Sequence, residues 1–123
     1  MQIKIRRRSN IQEKNNTSNK WIRVCKVQSL NNSDLLEFDY NNKKILITKA
    51  NDRVYATDRI CTHAYADLST GFLNETERTV TCPLHMSSFS LESGIPQNLP
   101  AEEPLKTYEV KIEDEGVYIL VDE

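Results

Sequence analysis

The chain has 123 residues, of which 38% are hydrophobic and 28% charged, with a formal net charge of −2. That length fits one domain with a single modest core, too small for a second catalytic domain of ordinary size. The composition is that of a globular protein, and no apolar run approaches the roughly 20 residues of a membrane helix, so a membrane partner is not expected.

The first 20 residues carry Lys4, Arg6, Arg7, Arg8, Lys14 and Lys20 against Glu13, whereas the remainder carries ten basic and seventeen acidic residues. A basic tail on an acidic body raises the question of nucleic acid. The tail is short, rich in Asn and lacks interleaved aromatics, so no nucleic-acid partner is expected, and the acidic body suits a basic protein better. No apolar segment follows the basic residues, which excludes a secretory signal. Arg6, Arg7 and Arg8 fit a mitochondrial presequence, but hydroxyl residues are few and no amphipathic run follows. Residues 1–20 therefore read as a polar basic extension. Within it, 9–20 is linker-like, with an extra edge strand over 2–6 as the ordered alternative. The domain proper is expected over 21–123.

From Trp21 onward, short apolar runs alternate with turn residues. Strands are predicted at 21–27, 35–40, 43–48, 54–57, 78–81, 88–91, 106–112 and 117–121. Asn41-Asn42 suits a two-residue hairpin, because Asn tolerates positive φ. Asn51-Asp52 and Glu115-Gly116 mark further turns. No stretch repeats at helical spacing, so the predicted class is all-β, a sandwich or barrel. Pro96, Pro100 and Pro104 interrupt the strand pattern and place a loop or edge before Lys106.

There are three cysteines, Cys25, Cys61 and Cys82. An odd number without a signal peptide argues against a disulfide framework and for a reducing, cytoplasmic location. Cys25, in a predicted strand, reads as a buried core thiol, and Trp21 as a core or edge anchor. The other two cysteines fall in tight cassettes with the only two histidines, Cys61-Thr62-His63 and Cys82-Pro83-Leu84-His85. Such pairs are metal-ligand spacing. Two thiolates and two imidazoles can hold tetrahedral zinc, yet zinc sites commonly pair cysteines on one knuckle and histidines on a helix. Here each β-flanked loop supplies one of each. That suits a two-iron cluster, with both thiolates on one iron and both imidazoles on the other.

These cassettes resemble the Rieske family, whose pattern is C-x-H followed by C-x-x-H. The resemblance extends from Trp21 to Val121, through Trp21-Ile22-Arg23-Val24-Cys25, Tyr55-Ala56-Thr57-Asp58, Leu68-Ser69-Thr70-Gly71 and the run Phe89 to Pro96. It implies a Rieske-type β-sandwich or barrel with a small cluster-binding subdomain. It also implies one [2Fe-2S] cluster on Cys61, His63, Cys82 and His85, and a proline-containing third loop, 96–104, over the site. The 18 residues between His63 and Cys82 form a slightly long stretch, whose surplus is expected in the turn 74–77. Respiratory-type members carry a disulfide across the cassettes. Its positions correspond to Ala66 and Leu84 here, so the resemblance implies that the bridge is absent, as in the soluble ferredoxins of oxygenase systems.

High-potential members carry a Ser two residues after the second His and a Tyr two further on. Ser87 matches, whereas Phe89 lacks the hydroxyl. The expected potential therefore lies in the lower or middle part of a span of roughly −150 to +300 mV. Ser87 has a local alternative, bonding to its own loop backbone. Asp67, Glu92, Glu102 and Glu103 read as solvated charge or as guides for a basic partner. The function implied is a one-electron carrier between a flavoprotein reductase and a terminal oxygenase. It is not an enzyme itself, because no histidine remains to build a catalytic iron site. The rival readings are a nitrite-reductase small-subunit-like protein, a zinc-stabilised protein-binding module and a redox sensor.

Overall fold

Two-residue turns of Asn and acidic residues fold this chain into antiparallel hairpins. A computed structural model describes residues 19–122, so the linker residues 9–18 and the edge strand considered over 2–6 lie outside the described residues. The strands are β1 (Asn19–Lys26), β2 (Leu35–Tyr40), β3 (Lys43–Ala50), β4 (Arg53–Asp58), β5 (Phe72–Asn74), β6 (Thr79–Thr81), β7 (Ser88–Ser90), β8 (Thr107–Tyr108), β9 (Val110–Glu113) and β10 (Gly116–Asp122). Among the described residues, helical structure is confined to the 3₁₀ turns Val27–Ser29 and Leu68–Thr70, and no helix is long and apolar enough to cross a membrane.

The strands form three antiparallel sheets, ordered β1-β10-β9, β2-β3-β4-β8 and β5-β6-β7. Asn41 and Asn42 (φ 47° and 64°) link β2 to β3, and Asn51 and Asp52 (φ 52° and 63°) link β3 to β4. Positive φ at both central residues matches the right-handed twist of the flanking strands. The last hairpin turns on Asp114 and Glu115 (φ 50° and 65°), one residue earlier than expected, and Gly116 begins β10. A side chain at Gly116 would press on Arg23 and Tyr118.

The middle sheet is covered on both faces, which explains the unbroken apolar run of β3. Ile45, Ile47, Val54 and Ala56 face β10, where Val117, Ile119 and Val121 complete one core. Leu46, Ala50 and Tyr55 face the other way, into a second core with Leu68, Val80, Phe89 and Leu91. Each buried Val, Leu, Ile or Phe among these stabilises by about 1.5–3 kcal/mol. The third sheet and its loops thus ride on the middle sheet as a separate small layer.

Further sequence expectations change: β1 begins at Asn19 and pairs from there with β10, so residues 19 and 20, expected in the linker, belong to the first strand. The predicted strand 106–112 divides at Glu109, because β8 pairs with β4 while β9 pairs with β10. Strand β5 was not expected, since its three residues are too short to show alternation. Cys25 is half-buried rather than buried, beside a register shift between Arg23 and Cys25 that tilts it toward the edge of its core. Trp21 is an edge residue, with the Lys111 ammonium 4.5 Å from its ring centre.

Candidate metal centre

Each cassette leaves a strand of the second core and turns back on itself. In the first, the Cys61 N–H donates to the Ala66 carbonyl, and the Tyr65 N–H to that of Cys61 (2.8 and 3.1 Å). In the second, the Cys82 N–H donates to the Ser87 carbonyl (2.8 Å). These tight returns require left-handed backbone at Tyr65, His85 and Met86 (φ 56°, 66° and 60°). Non-glycine residues adopt that region at a cost, and such outliers gather at functional sites.

The folding sorts the four donors by type. Cys61 and Cys82 are fully buried in the second core, beside Leu68 and Phe89. Burial pushes the Cys82 thiol above its ordinary value, and the adjoining Cys61 thiol raises it further, against a bond from the Leu84 N–H that lowers it. Two buried thiols side by side resist joint ionisation unless a cation sits between them. His63 and His85 are exposed, and their ring centres lie 5.5 Å apart at an interplanar angle of 66°. A pair of buried thiols below a pair of exposed imidazoles fits a two-iron cluster with ligands sorted by iron. The charges also fit, because two thiolates cancel the two positive charges of two ferric ions and two sulfides.

The proline-containing loop spans both cassettes. Thr62 Oγ1 donates to the Glu103 carbonyl (2.8 Å), and the Ala101 N–H donates to Ser87 Oγ (3.0 Å). Asn98 donates through Nδ2 to the Met86 carbonyl (3.1 Å) and accepts from the Ser88 N–H (2.7 Å). Ser87 is fully buried, and by accepting from Ala101 it keeps its own O–H free to donate. Phe89 is buried in the same core as both cysteines, where its ring brings no hydroxyl.

Arg59, two residues before Cys61, is a structural residue that the motif does not reveal. Its guanidinium is buried, meets Asp39 at 2.9 Å and approaches Asp67 at 3.2 Å. The second contact is an ion pair made through Nε. Burial would raise the Asp67 carboxyl, but bonds from the Ser69 hydroxyl and N–H, with the charge of Arg59, hold it below the usual carboxylate range. Asp67 is therefore an anchor of the first cassette rather than free surface charge. The long stretch before Cys82 is also anchored: its turn sets the Glu75 carboxylate on Ser33 (2.6 Å) and the Glu75 carbonyl on Asn51 (2.9 Å). All three cysteines are free thiols, and Ala66 and Leu84, the positions that the family resemblance assigns to a cross-cassette disulfide, are not cysteines.

The model of the Rieske [2Fe-2S] domain matches residues 20–109. The chain is 39% identical over 100 residues to a 3-phenylpropionate/cinnamic acid dioxygenase ferredoxin subunit of Photorhabdus laumondii, covering 81% of this chain and 93% of that one. The ferredoxin of carbazole 1,9a-dioxygenase from Nocardioides aromaticivorans superposes with a TM-score of 0.77 at 27% identity, over 80% of this chain and 95% of that one. A ferredoxin in a complex of reduced oxygenase and oxidized ferredoxin in carbazole 1,9a-dioxygenase superposes with a TM-score of 0.76 at 28% identity, over 80% and 91% of the two chains. With a matching domain model over most of its length and that degree of identity to a ferredoxin subunit, the chain belongs to the Rieske [2Fe-2S] family.

Proposed function

We propose that this chain is a one-electron carrier that takes electrons from a flavoprotein reductase and delivers them to a terminal oxygenase. In this reading Cys61 and Cys82 bind one iron of the cluster, and His63 and His85 bind the other. When bound, the cluster supplies a one-electron couple. The buried cysteines hold its inner end away from water, and the exposed imidazoles bring its outer end to the surface where a partner can reach it. Thr62, Ser87 and Asn98 keep the three loops in register, so that the donors need little rearrangement between oxidation states. The observation that carries the reading is this sorting of thiols inward and imidazoles outward at one tip of the domain.

The chain moves electrons and performs no oxygenation. Its only two histidines are committed to the cluster, which leaves none for a mononuclear catalytic iron. Its relatives are named as ferredoxins of dioxygenase systems, and a solved neighbour is a ferredoxin in complex with its oxygenase. Free thiols and the absence of a cross-cassette pair suit a reducing cytoplasm. In this reading the domain begins with β1 at Asn19, and the polar basic residues before it are an extension.

The test is iron and acid-labile sulfide analysis, a visible spectrum, and low-temperature EPR after dithionite reduction. Two irons and two sulfides per chain, with the low-average-g signal of mixed His/Cys ligation, are expected. Cys82→Ser should lose the cluster. A colourless protein with one zinc, persisting after anaerobic iron reconstitution, would overturn the reading.

A further inference from the structure

A groove of about 550 Å³ lies between β1 and β2, away from the metal centre. Val24 and Cys25 of β1 line it on one side, and Leu36 and Phe38 of β2 on the other. Each of these strands is the last of its sheet, so among the described residues each has one edge without a partner strand. Leu36 is 37% exposed and Cys25 half-buried, which leaves apolar surface open to water along the seam. Asp34 and Glu37 complete the lining. Asp34 accepts from the Asn31 N–H (2.8 Å) and Glu37 from the Ser69 hydroxyl (2.9 Å), and neither carboxylate meets a cation among the described residues. Open strand edges invite pairing, and native folds cover them.

One segment of this chain has the complementary pattern. Met1, Ile3 and Ile5 alternate with Gln2, Lys4 and Arg6, the period of two that sends apolar side chains to one face and polar ones to the other. Residues 1–18 carry five basic side chains against one acidic, on a body of opposite sign. The matched Rieske domain begins at residue 20, so this segment is no part of it. Its reach is sufficient. Cys25 lies about 20 Å along β1 from Asn19, at roughly 3.3 Å a residue. Residues 6–18, fully extended, can span roughly 40 Å.

We propose that residues 1–6 seat in this groove and close the seam between β1 and β2. Ile3 and Ile5 pack on Val24, Leu36 and Phe38, while Lys4 and Arg6 meet the carboxylates of Asp34 and Glu37. Burial of the two isoleucines outweighs the entropy of closing the connecting loop, which grows only slowly with loop length. The seated segment covers Cys25, the one thiol outside the two cassettes, and shields two strand edges from a second copy of the chain. The proposal does not depend on the electron-carrier reading.

The experiment uses the full-length holoprotein and reads two quantities. One is the rate at which a fluorescent maleimide labels Cys25. The other is amide hydrogen–deuterium exchange over residues 35–40, which reports on β2 whatever metal is bound. Ile3→Asn/Ile5→Asn should label about tenfold faster, as loss of the apolar anchors frees a groove covered about nine-tenths of the time, and exchange should quicken similarly. Lys4→Gln/Arg6→Gln should raise both rates by a smaller factor, and high sodium chloride should have the same effect on the unmodified chain. Ile11→Asn makes the same kind of change outside the segment and should leave both rates within about twofold.

If the thiol labels too slowly in every form, exchange decides. Exchange over 35–40 that is equal in the unmodified chain and in Ile3→Asn/Ile5→Asn would overturn the proposal, and so would an equal effect of Ile11→Asn. Protection that grows with protein concentration would also overturn it, because a second copy would then be filling the groove.

Discussion

Ser87 Oγ accepts the Ala101 N–H at 3.0 Å while the Ser87 carbonyl accepts the Cys82 N–H at 2.8 Å, so one buried serine joins the second cassette to the loop above it. Removing the hydroxyl strands a buried amide. Ser87→Ala should cost about 1–3 kcal/mol in denaturant unfolding. If the free O–H also donates to a sulfur of the cluster, the midpoint potential should drop by about 60 mV, the equivalent of one charge-assisted hydrogen bond in a one-electron couple. A loss of stability with an unmoved potential would leave Ser87 as a clip only.

Phe89 is packed against the cysteines where high-potential members place a tyrosine. The unmodified chain should titrate in the lower or middle part of a span of roughly −150 to +300 mV. Phe89→Tyr should raise that value by about 60 mV, from one added hydrogen bond to the cluster. Protein-film voltammetry of both forms provides the comparison. A potential in the upper part of the span for the unmodified chain would contradict the expectation.

Asp67 is held below the usual carboxylate range by Ser69 and Arg59. A carboxyl depressed by folding stabilises at pH values above its unfolded value, about 3.9, and loses that contribution as pH falls through the lower folded value. Unfolding should therefore become easier below about pH 4, and Asp67→Asn should flatten that acid limb while lowering stability at neutral pH. Denaturation midpoints measured between pH 3 and pH 7 on both proteins would decide, and parallel curves would count against the link.

Tyr108 lies at the end of the middle sheet with its hydroxyl donating to Asp58 at 2.6 Å. Burial first, and then this carboxylate, push its phenol well above the ordinary tyrosine value. A raised value stabilises the folded state below the unfolded value of about 10 and loses that contribution as pH rises through the folded one. Tyr108→Phe should cost about 1 kcal/mol at neutral pH and should remove part of the loss of stability above pH 10. Alkaline unfolding monitored by far-ultraviolet circular dichroism tests it.

Gly94 has φ +79° at the start of the third loop, where a side chain would run into the Leu105 carbonyl oxygen. Its own carbonyl accepts the Leu105 N–H at 2.9 Å, which closes the base of that loop. Gly94→Ala should destabilise by about 2 kcal/mol or more, because neither the backbone angle nor the space admits a methyl. Thermal unfolding of the two forms should show it, and an unchanged transition would argue that the loop base is looser than its contacts imply.

The sequence alone determines the strand-rich class, the hairpin turns and the two cassettes, because each of these is local. Asn41-Asn42 and Asn51-Asp52 turn the chain through their own tolerance of positive φ, and the cassettes combine the scarcest residue types at ligand spacing. Only the tertiary structure decides which sheet each strand joins. The alternation over 106–112 is the same whether a strand pairs with β4 or β10, and the switch at Glu109 depends on partners distant in sequence. The same holds for the metal centre. Motif spacing names four donors, but burial against Phe89 and Leu68 turns the cysteines inward, and the left-handed turns at Tyr65 and His85 leave the imidazoles in water. Arg59, Thr62 and Asn98 carry no motif, since their work is to bond backbone and carboxylate groups that come near them only after the loops have folded together.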